Sequence, residues 1–441
     1  MRRISREERE RILRHLRTLA RSRKRGRTTE YPPSKRQVND STIIDHYARR
    51  IELTRRRRKG SISLAVPPTF SFIEDPEAAI GFINSVVAGL WERRAQINID
   101  HSACTQLDLC AEAVLSAIAF EGRQSLGCRI GGWLPDLPEL RSIILASGLP
   151  KVLGVAREEM KGFHCFPLRH GARRRERARQ SSERERAATE LSVYIESCFA
   201  LHDWRLDADA LEYLSKIVGE VIGNAEDHSG EADWWAAGYL HDSEDGSLAD
   251  CHLAIFSFGS TYHQSLMQLS PSSYLRRRLT ELSKQHSSKG FFAPDKWTEE
   301  NLWTLYALQE GVSRFNRADK QLDTDRGQGT ADMIEFFQRL GGSSPGRSSP
   351  KMCVVSGATQ ILFDVAYKMT RKDVGKGFTR RVLAFNAAND LEEKPDSSNV
   401  RPLKKFFPGT LISLRFFVDD MYLTQLHQTG EYSVTPTAHR A

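Results

Sequence analysis

The sequence predicts an α+β protein: a larger C-terminal domain with a mixed sheet, a small α/β domain before it, and a basic helical N-terminal arm. Three observations carry this. Strand-like and helix-like stretches alternate between residues 61 and 155. Beyond residue 188, strands gather with helices between them, and adjacent strand pairs come late in the chain. Charge is concentrated at the start, where residues 1–60 hold 21 Lys/Arg against 7 Asp/Glu.

The chain has 441 residues, of which 40% are hydrophobic, and a formal net charge of +8. At roughly 100–200 residues per domain, that length fits two or three domains. The apolar content excludes wholesale disorder. No uncharged apolar run approaches the roughly 18 residues of a spanning helix, so a membrane-spanning protein is not expected. The N-terminus has no apolar signal core, so a secretory leader is not expected either. The basic character belongs to the arm, because residues 61–441 hold 43 Lys/Arg against 49 Asp/Glu. A basic arm on an acidic body suggests a polyanionic partner or an intramolecular contact.

Seven scattered cysteines without a CxxC argue against a disulfide framework and point to a reducing cytoplasm. His164–Cys165 and Cys251–His252 have no partner pair at ligand spacing, so a zinc site is not expected.

The elements follow in order. Residues 5–25 read as a helix, with Ser5 and Glu8 as a capping box and Ile12, Leu16 and Leu19 on one face. Its arginine-rich faces suit nucleic acid, an anionic membrane, an acidic patch of the protein, or plain solvent. A second basic run, Arg55 to Lys59, reads as a loop. Ser61–Val66 alternates like a strand. Pro76 to Trp91 reads as a helix, Gln96–Asp100 as a strand, Leu107–Phe120 as a helix, Cys128–Ile130 as a strand, and Glu139–Ser147 as a helix stopping at Gly148. Residues 169–186 carry 8 arginines and 3 glutamates and read as a linker or solvated helix. Helices are expected at Ala188–Phe199, Ala208–Asp227, Tyr274–Lys284, Glu299–Leu308 and Thr330–Leu340. Strands are expected at Trp234–Leu240, Leu253–Phe258, Met352–Val355, Thr359–Val365, Val382–Phe385 and Thr410–Phe417. The resulting organisation is an arm over 1–60, an α/β domain over 61–155, a basic linker over 156–187, a large domain over 188–425 and a polar, mobile tail over 426–441.

Three signals in the large domain carry chemistry. The first is Glu220-Val-Ile-Gly-Asn224-Ala-Glu-Asp-His228, where a spacing of four puts Glu220, Asn224 and His228 on one helical face. A carboxylate there can orient and deprotonate water, and an Asn carbonyl is a hard donor suited to Mg²⁺. Taken alone, the stripe reads as the solvated face of an amphipathic helix. The second is the strand Leu253-Ala-Ile-Phe-Ser257-Phe-Gly259, whose polar, glycine-tipped end lets a ligand approach the backbone. The third is Asp325-Arg326-Gly327-Gln328-Gly329-Thr330 before a helix, which presents free amides and a favourable dipole to phosphate. No Walker loop is present.

In this order, the three signals resemble the Bergerat-fold (GHKL) ATPases, a family of ATP-binding two-layer α/β sandwiches. The resemblance covers residues 190–420. It implies Glu220 as general base, Asn224 as Mg²⁺ ligand, and His228 as the further residue of the helix motif. It also implies that Ser257 and Gly259 take the place of an adenine-binding D-x-G, that Arg326, Gly327, Gln328, Gly329 and Thr330 form the phosphate loop, and that Thr410 follows the late glycine Gly409. The family Asp is replaced by Ser257, and the next family glycine falls at Thr261. A serine can still hydrogen-bond an amine, without charge assistance. Residues 260–325 correspond to a mobile lid, with Arg314 and Arg326 in reach of phosphates. The first domain resembles STAS modules through Ile99-Asp100-His101-Ser102 and Leu107-Asp108-Leu109-Cys110-Ala111. Leu109 and Cys110 stand where phospho-switched members have serine, so no phosphoserine switch is expected.

The resemblance implies a bacterial, cytoplasmic regulator that binds ATP with Mg²⁺, hydrolyses it slowly as an ATPase or acts as an anti-sigma-type kinase, and rearranges a protein partner or forms a homodimer. The alternative is a nucleic-acid-associated clamp or scaffold that works through residues 1–60, with a degenerate nucleotide site.

Overall fold

The computed structural model describes residues 42–54, 58, 60–148, 150, 163–172, 183–206, 208–229, 233–242, 248–286, 297–312, 328–340, 349–364, 366–373, 379–429 and 434–436. The arm helix expected over 5–25 lies outside these residues. No helix among them is long and apolar enough to cross a membrane.

The N-terminal half opens with helix α1 (Thr42–Arg50) and continues through β1 (Ser61–Ala65), β2 (Thr69–Phe70), α2 (Pro76–Trp91), β3 (Gln96–Asp100), β4 (Gln106–Leu107), α3 (Leu109–Leu126), β5 (Arg129–Trp133) and α4 (Pro138–Ser147). Local chemistry sets the ends. The Asp75 side chain accepts from the Ala78 amide, with Pro76 opening α2. Asp108 caps α3 in the same way, and Gly127, at φ 65°, ends it in the left-handed conformation. Strands β1, β3 and β5 form a parallel sheet in that order, and β2 pairs with β4 in a separate parallel pair. Ile97 and Ile99 turn inward, while Ser61, Ser63, Ala65, Gly131 and Trp133 leave the outer face exposed.

The C-terminal half contains β6 (Phe163–Ala172), α5 (Glu183–Leu201), β7 (Trp204–Leu206), α6 (Ala208–Ser229), β8 (Asp233–Asp242), β9 (Leu248–Phe258), α7 (Tyr262–Leu266), α8 (Tyr274–His286), α9 (Glu299–Ala307), α10 (Gly329–Leu340), β10 (Lys351–Phe363), β11 (Thr370–Asp373), β12 (Thr379–Val382), β13 (Val400–Asp419), α11 (Asp420–Thr429) and β14 (Val434–Pro436). Its five-stranded sheet runs β10-β13-β9-β8-β6, and every pairing is antiparallel. The sheet is therefore not mixed as expected; among the described residues, parallel pairing is confined to the N-terminal half.

Several expected elements are corrected. Met352–Val355 and Thr359–Val365 form one strand, because a bulge at Ser356/Gly357 lets the ladder continue past the irregularity. Gly357 sits there at φ 63°, which glycine adopts without strain. The strand expected at Val382–Phe385 ends at Val382, and Phe385 takes a φ of 56°. Within the expected linker over 156–187, residues 163–172 form β6, which pairs along β8, and residues 183–187 begin α5. Within the expected tail, Val434–Pro436 pairs with Trp204–Leu206. Helix α9, within the expected lid, is packed into the core through Leu302, Trp303 and Tyr306, each at most 1% exposed.

Both faces of the five-stranded sheet are covered. One apolar cluster joins it to α5, α6, α9 and α10 through residues such as Trp234, Ile255 and Ile412. The other joins Trp235, Phe256, Phe258, Phe407 and Leu411 to Tyr47, Phe72, Ile80 and Val114 of the N-terminal half. The hydrophobic core thus runs unbroken across the expected domain boundary. Lys351 Nζ reaches Glu74 Oε1 at 2.7 Å across the same seam.

Candidate functional site

The site is built on α6, α10 and the facing ends of β9 and β13. Helix α6 buries Leu214, Ile217, Val218, Val221 and Ile222, which fixes its rotation. Glu220 and Asn224 are left half-buried at the edge of that core. Its glycines serve packing: Arg184 donates from Nε to the Gly219 carbonyl at 2.8 Å, and a side chain at Gly223 would run into the same guanidinium.

Helix α10 begins against this face. Asn224 Nδ2 donates to Thr330 Oγ1 at 3.4 Å, a long bond. The Glu220 side chain lies directly on Gly329. A Cβ there would overlap Glu220 Cβ and sit 2.9 Å from Cγ and 3.2 Å from Oε2. Asn224 and Thr330, 106 positions apart, are therefore in contact, and the lack of a side chain at Gly329 lets Glu220 approach.

The two strand ends form the opposite wall. Ser257, 2% exposed, sits across from Thr410 in the β9–β13 ladder. Thr410 Oγ1 and Ser356 Oγ are 2.9 Å apart, and Ser356 Oγ accepts from the Tyr262 amide at 2.9 Å. Gly409 has no room for a side chain, since a Cβ would overlap the Ser257 carbonyl. Gly259 turns the chain away at φ 151°, its amide donating to the Pro408 carbonyl at 3.0 Å.

Asn224, Ala225, Ser257, Ser260, Tyr262 and Thr410 line one recess of about 20 Å³. That volume admits about one water molecule and not a nucleobase, so a larger ligand enters only if the rim opens. Burial pushes the Tyr262 hydroxyl up to about 12, opposed by a hydrogen bond with Thr330. Tyr262 therefore stays a neutral donor at ordinary pH.

The structure brings together Glu220, Asn224, Gly329 and Thr330, and separately places Ser257 and Thr410 on the wall of the same recess. Gln328 precedes the helix, its carbonyl accepting from the Asp332 amide at 2.8 Å. Arg314, Arg326 and Gly327 lie outside the described residues, as does the side chain of His228.

Sequence reasoning missed a buried ion cluster beside this site. Arg381, 6% exposed, donates to Glu310 at 3.0 Å and Glu335 at 3.0 Å, and is also paired with Asp332. Tyr213 of α6 joins it. Burial, with Asp332 and Glu335 close by, pushes its hydroxyl up to about 12. The cluster anchors the first two turns of α10. Nothing marks Arg381 in the sequence, where it is one arginine of a short basic strand.

Among the described residues, no group of three or more His, Cys, Asp or Glu side chains could hold a metal ion. A divalent cation at this site would need further ligand oxygens beside any carboxylate. Asn224 uses its amide nitrogen on Thr330, which leaves its carbonyl oxygen as the donor for a hard cation.

Compared with family models, curated proteins and solved structures, the chain has no significant match.

Proposed function

We propose that the chain is a Mg²⁺-dependent ATP-binding regulatory protein of the Bergerat type. The observation that carries the reading is convergence. Asn224 of the helix motif lines one recess with the strand-end residues Ser257 and Thr410, and the glycine-rich helix start touches the same motif through Asn224–Thr330 and Glu220–Gly329. The three motifs fall on α6, the end of β9 and the start of α10 in that order along the chain, the order on which the resemblance rests.

The donor set fits the ligand. The amides of Gly329 and Thr330, in the first turn of α10, have no partner within the helix and suit phosphate. The Asn224 carbonyl suits a Mg²⁺ that takes its other ligands from phosphate and water. Bound Mg²⁺ would offset phosphate charge, which the acidic body does not. Glu220, at the junction of α6 and α10, is placed to orient a water toward the terminal phosphate. Ser257, Thr410 and Ser356 offer hydroxyls, which donate and accept, at the position of the base.

The small volume of the recess adds one requirement. The form that binds nucleotide is an opened form, and apparent affinity is reduced by the fraction of molecules that are open. Calorimetric titration with ATP, ADP and GTP, with and without Mg²⁺, tests the assignment. Asn224→Ala is expected to abolish Mg²⁺-dependent binding, and Glu220→Ala to keep binding while stopping hydrolysis. Tight binding unchanged in Asn224→Ala would sink the proposal.

A further inference from the structure

The outer side of the recess is held from the N-terminal half of the chain. Strand β9 ends at Phe258, and Gly259 follows between two residues that line the recess, Ser257 and Ser260. The Gly259 amide is bonded within the sheet, to Pro408. Its carbonyl is bonded outside the sheet: Arg50 Nη2, from the last turn of α1, donates to it at 3.3 Å. Glycine at φ 151° has no side chain to resist rotation of its peptide planes. The Arg50 bond is thus what fixes that carbonyl.

The preceding residue is held by the same helix. Tyr47, fully buried in α1, packs its ring 5.7 Å from Phe258 and 6.3 Å, edge-on, from Phe407. Its hydroxyl donates to Asn84 Oδ1 of α2 at 3.0 Å, which fixes the ring in place. Two consecutive residues at the end of the wall strand are therefore gripped by two residues of α1, one turn apart.

We propose that Arg50 and Tyr47 are positioning residues for the Asn224–Ser257 recess, so that its affinity for ligand depends on how α1 is seated. The ligand part rests on the nucleotide reading above; the mechanical part does not. Helix α1 lies within the expected arm of residues 1–60 and links residues 1–41 to the rest of the chain. A partner that pulled on the arm would act on the recess through this contact.

The test uses the full chain and two readouts. Arg50→Ala removes the bond. Arg50→Lys keeps a donor that can reach a carbonyl. Arg49→Ala removes an equal charge from an exposed neighbour on the same helix. Hydrogen exchange over residues 257–262, measured without nucleotide, is expected to quicken at least about twofold in Arg50→Ala. It should be restored in Arg50→Lys and unchanged in Arg49→Ala. Mg²⁺–ATP affinity should weaken between about twofold and tenfold in Arg50→Ala alone, the range for one hydrogen bond. Unaltered exchange at 257–262 in Arg50→Ala overturns the inference, whatever nucleotide does. Faster exchange with unchanged Mg²⁺–ATP affinity overturns the claim on the recess. No Mg²⁺–ATP binding by the parent chain overturns the nucleotide reading and, with it, that claim, while the exchange result still decides the mechanical coupling.

Discussion

Replacing Gly329 with alanine is the most informative single change to this site. The added Cβ would overlap Glu220 Cβ and crowd Cγ at 2.9 Å. The overlap is with atoms close to the α6 backbone, so a change of rotamer cannot relieve it; the two helices must separate. Overpacking of this kind costs about 1–3 kcal/mol. Against it stands a gain of at most about 1 kcal/mol from exchanging glycine for alanine in a helix, less at its first residue. The expected net loss is about 1–2 kcal/mol, with a larger loss of Mg²⁺–ATP affinity because the same movement displaces Glu220 and Asn224. A double-mutant cycle identifies the cause. Glu220→Ala retains the overlapping Cβ and should leave Gly329→Ala almost as harmful as before. Glu220→Gly removes it and should recover most of the loss, giving a coupling of about 1 kcal/mol or more. Urea midpoints and thermal melts of the parent, the three single variants and the two double variants measure this. A Gly329→Ala variant as stable as its parent, or more stable, would refute the packing of α10 on α6 described above.

Two further perturbations address the framework. Arg381→Met leaves Glu310, Asp332 and Glu335 without their shared cation. Breaking a buried pair in this way is expected to cost about 3–5 kcal/mol, read as a drop in urea midpoint; a loss below about 1 kcal/mol would show that the cluster does not anchor α10. For Asp250, burial raises the carboxyl pKa, but His252 and the paired Arg415 outweigh it and hold the group well below the ordinary carboxylate range. A depressed folded pKa stabilises the protein above the unfolded value of about 4, and that stabilisation is lost as pH falls through the folded value. The stability gap between the parent and Asp250→Asn should therefore be full at pH 6 and shrink steadily below about pH 4; a gap that stays constant down to pH 2 would contradict it.

The parts of this protein legible in the sequence are those where local chemistry decides. Helix α2 runs from Pro76 to Trp91 as expected, because Asp75 and Pro76 define its start and its apolar positions its buried face. The stop of α4 at Gly148 was legible for a similar reason. The candidate site was legible in its pieces, since Glu220, Asn224, Ser257, Gly329 and Thr410 sit at positions where helix face, strand end and glycine can be read directly. What escaped was whatever depends on distant partners. Strand β6 begins in an apolar stretch and ends in an arginine-rich run, and only its pairing with β8 makes it a strand. The single strand Lys351–Phe363 looked like two because the bulge at Gly357 resembles a turn until the continuous partner β13 is placed beside it. The bonds of Arg381 to Glu310, Asp332 and Glu335 and of Arg50 to the Gly259 carbonyl exist only in three dimensions.

The alternation of β9 explains why the site and the N-terminal half cannot be treated as separate modules. An antiparallel sheet commonly leaves one face to solvent. Here both faces are buried, and adjacent side chains divide between them: Trp234 enters the helix-side core and its neighbour Trp235 the other. Along β9 the same period of two sends Ile255 and Ser257 toward the recess, and Phe256 and Phe258 into the aromatic cluster with Trp235, Tyr47 and Phe407. A ligand that spreads the Ser257 wall must shift the backbone of β9, and the rings on its far side are packed against α1 with no slack. Energy spent opening the recess is thus felt at the N-terminal half, and any partner that reseats α1 acts back on the recess with the same coupling.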